Sequence, residues 1–281
     1  MVSKPQYFII KRGLPEHVSE HERADYINKV IIQNLTASAP AGIRQLLFTS
    51  STAPIHRLFE PVAVGGLQFI EDYIRLSPAL VLASRLLTSK RSLRFWHSFM
   101  YGPKTLNEAT GNQIFSRQVF EEDMQKDQVE LPAEEADRTR KALGEMIYWM
   151  CLETGELPTP ILARRQPSDN PPDPRLSGTK SKIVINKLIL DNRGTFDEKS
   201  EAEVFQKWFQ LGIAIVAEFG HALHKAFHGN DVLEMHFEDQ WFVDMGRAWA
   251  EWVFGVKNFA RYAKEEEIRG FLDWDSWKDD M

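Results

Sequence analysis

Cys151 is the only cysteine in the 281-residue chain. No internal disulfide and no thiolate zinc cluster can therefore form, and a reducing compartment is the setting this implies. No stretch approaches the roughly 20 consecutive apolar residues of a membrane-spanning helix. The N-terminal MVSKPQYFIIKRGLPEH meets charge too soon for a signal peptide, so a cytoplasmic protein with no membrane partner is expected. Lys and Arg gather into no long run and the formal charge is −6, which argues against a nucleic-acid partner. Internal repeats and low-complexity tracts are absent too.

What is present, 43% hydrophobic and 26% charged residues, suffices for one sizeable core. Residues 1–281 are read as a single domain of the mainly α (α+β) class with a small β-sheet. It divides into a helical N-terminal part, 1–163, a Pro-rich loop, 164–180, and a C-terminal part, 181–281.

Gln6–Lys11 predicts a short strand and Glu16–Leu35 a helix. From His56 to Met100 apolar residues recur at helical spacing, with Gly65-Gly66 and Pro78 as interruptions, which predicts two or three helices. After Pro132, Ala133–Thr154 predicts one long amphipathic helix stopped by Gly155, with Leu143, Met146, Ile147 and Met150 on its apolar face. Arg164–Lys180 carries four prolines and predicts a surface loop. Lys182–Leu190, rich in β-branched residues, predicts a strand. The C-terminal third is helical again, and the acidic stretch Glu265–Met281, with Phe271, Trp274 and Trp277, is expected to dock on the body or on a partner.

The chemistry concentrates in Ile213–Gly229, IAIVAEFGHALHKAFHG, on a helix starting near Ser200 that is apolar all around its middle and hence buried. At 3.6 residues per turn, His221, His224 and His228 all lie within about 40° of Ala217, forming one stripe. A His-Glu-x-x-His zinc helix spaces two histidines so that both rings reach one ion, and the Glu polarises the metal-bound water. The corresponding residues here are Ala217-Glu218-Phe219-Gly220-His221. Downstream, Asp244-Met245-Gly246-Arg247-Ala248-Trp249-Ala250-Glu251-Trp252-Val253-Phe254-Gly255 has the look of an acidic second helix.

Residues 180–256 thus resemble zincin-like, gluzincin-type metallohydrolases, including fungal ones whose second helix ends in Phe-Gly-Gly; Val256 stands here in place of the second glycine. The resemblance implies a degenerate site that keeps the base Glu218 and the second ligand His221 but has Ala217 for the first. Zinc binding would then need a rebuilt set, His221 and His224 with Glu251, or with Asp244 or His228 as alternatives. Without metal, Glu218 and His221 form an acid–base pair.

Trp208, Trp241, Trp249 and Trp252 flank this region and fit either a core or the wall of a cleft for a small hydrophobic molecule. His236 and Glu238 follow the helix and read as surface-loop residues; His17, His21, His56 and His97 read as structural or solvent-facing. The resemblance carries the functional expectation: an enzyme of secondary metabolism that cyclises, rearranges or eliminates on a small hydrophobic metabolite through Glu218 and His221. The alternatives are a zinc hydrolase with a rebuilt site and a pseudoenzyme that binds without turnover.

Overall fold

The computed structural model describes residues 55–59, 70–102, 104–106, 113–115, 131–168, 178–191, 201–229, 233–237 and 244–254. The strand expected at Gln6–Lys11, the helix at Glu16–Leu35, the Gly65-Gly66 break, Trp241, Glu238 and the acidic tail lie outside these residues. Those described form a mostly helical α+β fold with a small three-stranded sheet, the class the sequence implies. None of their helices is long and apolar enough to cross a membrane.

After a 3₁₀ turn at Arg57–Phe59, helix α1 spans Ile70–Thr88 and α2 spans Lys90–Tyr101. Pro78 does not interrupt α1, contrary to the expectation. The backbone bond it removes is outweighed by burial of Leu76, Ala79, Leu80, Val81, Ala83, Leu86 and Leu87. Ser89 caps α2 by accepting from the Ser92 amide at 3.2 Å. Strands β1 (Thr105–Leu106) and β2 (Gln113–Ile114) make a small antiparallel ribbon.

Helix α3, Ala133–Glu145, starts behind Pro132 with Glu134 and Glu135 in its first turn, which suits the positive end of the helix dipole. It stops well short of Thr154. A 3₁₀ turn at Met146–Tyr148 leads into strand β3, Met150–Gly155, where the long helix was expected. Met150 and Leu152 are buried while Cys151 and Glu153 are half-buried, a period of two that pairing across a sheet rewards. Met150 also fits helical spacing, so the local pattern alone did not separate the two.

The segment expected as a Pro-rich loop begins as a strand, β4, Ala163–Pro167. Pro167 sits at its end, on an edge strand, where a missing amide is tolerated. Strand β5, Ser181–Asn186, lies between the others in the order β3-β5-β4, parallel to β3 and antiparallel to β4. It ends four residues before the predicted Leu190 because Asn186 turns the chain. Its buried side chain donates to the Leu157 and Ile161 carbonyls, at 3.1 and 2.8 Å, and accepts from the Leu188 amide, at 3.1 Å. The short helix α4, Leu188–Asp191, follows.

Helix α5, Glu201–His228, is the axis of the fold, with α1, the sheet and α6 (Met245–Phe254) packed around it. It ends at Gly229, whose φ of +79° suits a residue without a Cβ, and whose amide bonds the Lys225 carbonyl at 3.0 Å. Gly212 lets α1 approach closely: a Cβ there would meet the Ala79 oxygen and the Ala83 nitrogen at 3.3 Å. Gly246 does the same for α6, where a Cβ would lie 2.8 Å from the Ala217 oxygen and 2.9 Å from the Ala217 Cβ.

Replacing Asn186 by Ala strands the buried Leu157 carbonyl and removes the partner of the part-buried Ile161 carbonyl and Leu188 amide. It is expected to cost about 1–3 kcal/mol in urea denaturation; a change within about 0.5 kcal/mol would mean the turn holds without it.

Candidate functional site

The polar centre lies where α5 meets the N-terminus of α6. His221, on the middle of α5, is 19% exposed at its side chain. Its Nδ1 bonds Glu234 Oε2 at 2.5 Å, and its Nε2 faces Asp244 Oδ1 at 3.5 Å. Both carboxylates are also tied to the start of α6: Glu234 accepts from the Met245 amide at 3.3 Å and Asp244 from the Arg247 amide at 2.8 Å. Asp244 is thus the side-chain cap of that helix.

Glu218 stands one turn before His221. Its Oε2 accepts from the Arg165 amide at 2.5 Å, across the contact between α5 and β4. The Arg165 guanidinium donates to Ser181 Oγ at 3.0 Å and lies in electrostatic reach of Glu234 and Glu218. Three carboxylates and two cationic side chains therefore share one half-buried patch.

Burial works against a charged His221, but its hydrogen bond to Glu234 and the nearby Glu218 and Asp244 carboxylates overcome this and lift its pKa to about 9. At neutral pH the ring is an imidazolium. Burial pushes the Glu218 carboxyl up; His221 and the Arg165 amide temper the rise, while Asp244 and Glu234 add to it. Burial also opposes the Glu234 charge, yet the bond to His221 holds that carboxyl below its usual range.

The site thus joins the predicted pair Glu218 and His221 to Asp244, and adds Glu234 and Arg165, which sequence reasoning did not single out. Glu234 lies in the acidic, aromatic stretch after α5 that also carries His236 and Glu238. Of these His236 is buried rather than on the surface, with its carbonyl accepting from Phe115. Arg165 fell in the expected loop, and only the strand pairing of β4 carries it to α5.

The other predicted residues go elsewhere. His224, fully buried at 0% exposure, packs beside Phe99 and His228. Glu251 is buried and bonds Arg247 of its own helix at 2.9 Å. Trp249 stacks on Trp96, centroids 6.1 Å apart, and donates to Ser92 Oγ. Trp252 donates to the Arg91 carbonyl. Both are fully or almost fully buried, so they brace α2 against α6 instead of walling a cleft, and Trp208 packs on the core. His56 is half-buried, with its backbone amide donating to Ser84 Oγ at 2.8 Å, and its pKa is held near 4 by desolvation and by Arg57. His97 links α2 to Thr139 of α3.

These residues do not fit the zinc set that the resemblance implies. The first-ligand position, Ala217, is covered by the backbone of α6 at Gly246, and the rings of His221 and His224 meet different neighbours while Glu251 is drawn to Arg247. Among the described residues, no three His, Cys, Asp or Glu side chains are grouped to hold a metal ion. Comparison with protein-family models, with curated proteins and with solved structures finds no match to this chain.

Restoring the motif with Ala217→His is expected to leave zinc affinity in untagged protein no better than in the parent and to destabilise the fold by about 1–3 kcal/mol through overpacking. Zinc binding much tighter than the parent's, measured by calorimetry, would show that α6 yields.

The His221 shift also sets a pH dependence. Because its folded value lies above the ordinary 6.5, its stabilisation is complete below that pH and is lost as pH rises through about 9. Glu234, held low, contributes stability above the ordinary carboxylate range that is lost on acidification through its folded value. The difference in Tm between the parent and His221→Gln is therefore expected to shrink from pH 6.5 to 9; a constant difference would detach His221 from this linkage.

Proposed function

We propose that this protein is a metal-free acid–base enzyme that promotes an elimination or rearrangement of a small organic molecule, with Glu218 as base and His221 as acid. The observation that carries the reading is the Glu234–His221–Asp244 bracket beside Glu218. Glu234 fixes the ring through Nδ1 and stabilises its charged form, as an orienting carboxylate does in other acid–base sites. That leaves Nε2–H aimed at the gap beside Asp244, whose side chain is 35% exposed. The 3.5 Å separation is long for a hydrogen bond and leaves this proton available to a leaving group.

Glu218 takes a proton from carbon more readily than an ordinary exposed carboxylate, because burial raises its proton affinity. In an elimination Glu218 removes that proton, the electron pair forms the new double bond, and the leaving group departs with the proton of His221. A second turnover requires Glu218 to return its proton to solvent and His221 to regain one. The substrate in this reading is a hydrophobic metabolite of secondary metabolism, as the resemblance implies, and the setting is cytoplasmic, as the composition implies. Support for a tryptophan-lined cleft is weakened, since Trp249 and Trp252 are spent in packing.

A benzisoxazole whose ring opens when a base removes its single acidic C–H tests the pair without knowledge of the natural substrate. The parent protein is expected to accelerate the opening over acetate at equal pH, and Glu218→Gln to lose about 10²–10⁴-fold of the protein's rate. Equal rates in the two proteins would contradict the reading and favour a non-catalytic binding protein.

A further inference from the structure

His224 is used by nothing in the acid–base site, yet it is the most conspicuous polar group of the core. It is 0% exposed, and neither ring nitrogen has a hydrogen-bond partner among the described residues. A buried polar group left so is expected to cost about 1–3 kcal/mol and calls for a partner such as an ion. One turn on, at i+4, the half-buried His228 places its ring centroid 4.8 Å from that of His224. Two imidazoles on one ion, with metal–nitrogen bonds of about 2.0–2.1 Å, hold their ring centres about 5 Å apart. Phe99 lies against both rings, at 6.0 and 5.8 Å, as an apolar wall.

We propose that His224 and His228 form a second site, a bis-imidazole seat for a transition-metal ion at the C-terminal end of α5. Imidazole pairs suit copper, nickel and zinc, and divalent copper binds most tightly of the three. Water completes the coordination, entering past His228. Burial holds His224 near a pKa of about 3, and burial with Lys104 lowers His228, so both rings are neutral at pH 7, the form that binds metal. Lys104, Lys225 and the His221 imidazolium oppose a cation here, whereas Glu234 favours one. The net field is therefore not that of an acidic cation trap, which makes the two nitrogen lone pairs the source of affinity.

The test is a titration of untagged full-length protein with Cu(II), Ni(II) and Zn(II), followed by calorimetry and, for copper, by electron paramagnetic resonance. One equivalent of copper with nitrogen coupling is expected, bound more tightly than nickel or zinc. His228→Ala is expected to weaken it by at least about 100-fold, the upper range for losing even a supporting contact of a metal site. His224→Leu is expected to abolish binding while leaving the metal-free Tm unchanged or higher, since it removes an unpartnered polar group. His221→Gln is expected not to weaken copper binding, since it removes a positive charge that opposes a cation at His224. Binding that survives either His224→Leu or His228→Ala, or that is lost in His221→Gln, would overturn the proposal, as would no binding to the parent.

Discussion

The site depends on how closely α6 lies on α5. At Gly246 the two backbones come so near that a single added carbon would strike Ala217. Trp249 stacked on Trp96, and Arg91 donating to the Val253 carbonyl at 3.0 Å, hold α6 in that place from the α2 side. This contact sets the N-terminus of α6 beside His221, so that Asp244 faces the ring and the Met245 amide donates to Glu234, the ring's other partner. The same contact occupies the space that a histidine at 217 would need.

The electrostatic consequence is a patch whose charge is balanced by protons. Glu218, Glu234 and Asp244 surround His221, with Arg165 in reach of two of them. In a half-buried setting such charges interact more strongly than in water, and the carboxylates around His221 favour its imidazolium form. The two carboxylates that touch His221 also cap or brace a helix start, where negative charge is favoured. One arrangement thus serves both the packing of α6 and the proton affinity of the ring.

Much of the framework was legible in the sequence: the buried middle of α5, its start and its glycine stop, the core of β5 and the α+β class follow from periodicity and punctuation, and the helix α6 from the resemblance. Strands β3 and β4 were not legible, because each is stabilised by pairing with β5, a contact distant in the sequence. Met150 alone satisfies helical and strand spacing alike, continuing the helical stripe and opening the strand alternation that Leu152 carries on, and the prolines after Arg165 masked an edge strand. Within the site, Glu218 and His221 stand out in the sequence through the degenerate motif on α5, and Asp244 only as an alternative metal ligand that the resemblance implies, not as the neighbour of His221 that it is here. Glu234 and Arg165 come from a connecting segment and a sheet edge, where no periodicity exists to betray a partner. The roles of Trp249 and Trp252 were open until their indole nitrogens found Ser92 and Arg91.

The most direct test of a proton-held site is the titration of the His221 ring itself, followed by nuclear magnetic resonance in ring-labelled protein and assigned with His221→Gln. A midpoint near 9, moving down in Glu234→Gln, is the predicted result. A midpoint at or below the ordinary 6.5, unaffected by Glu234→Gln, would contradict it and return His221 to the neutral form that a metal requires.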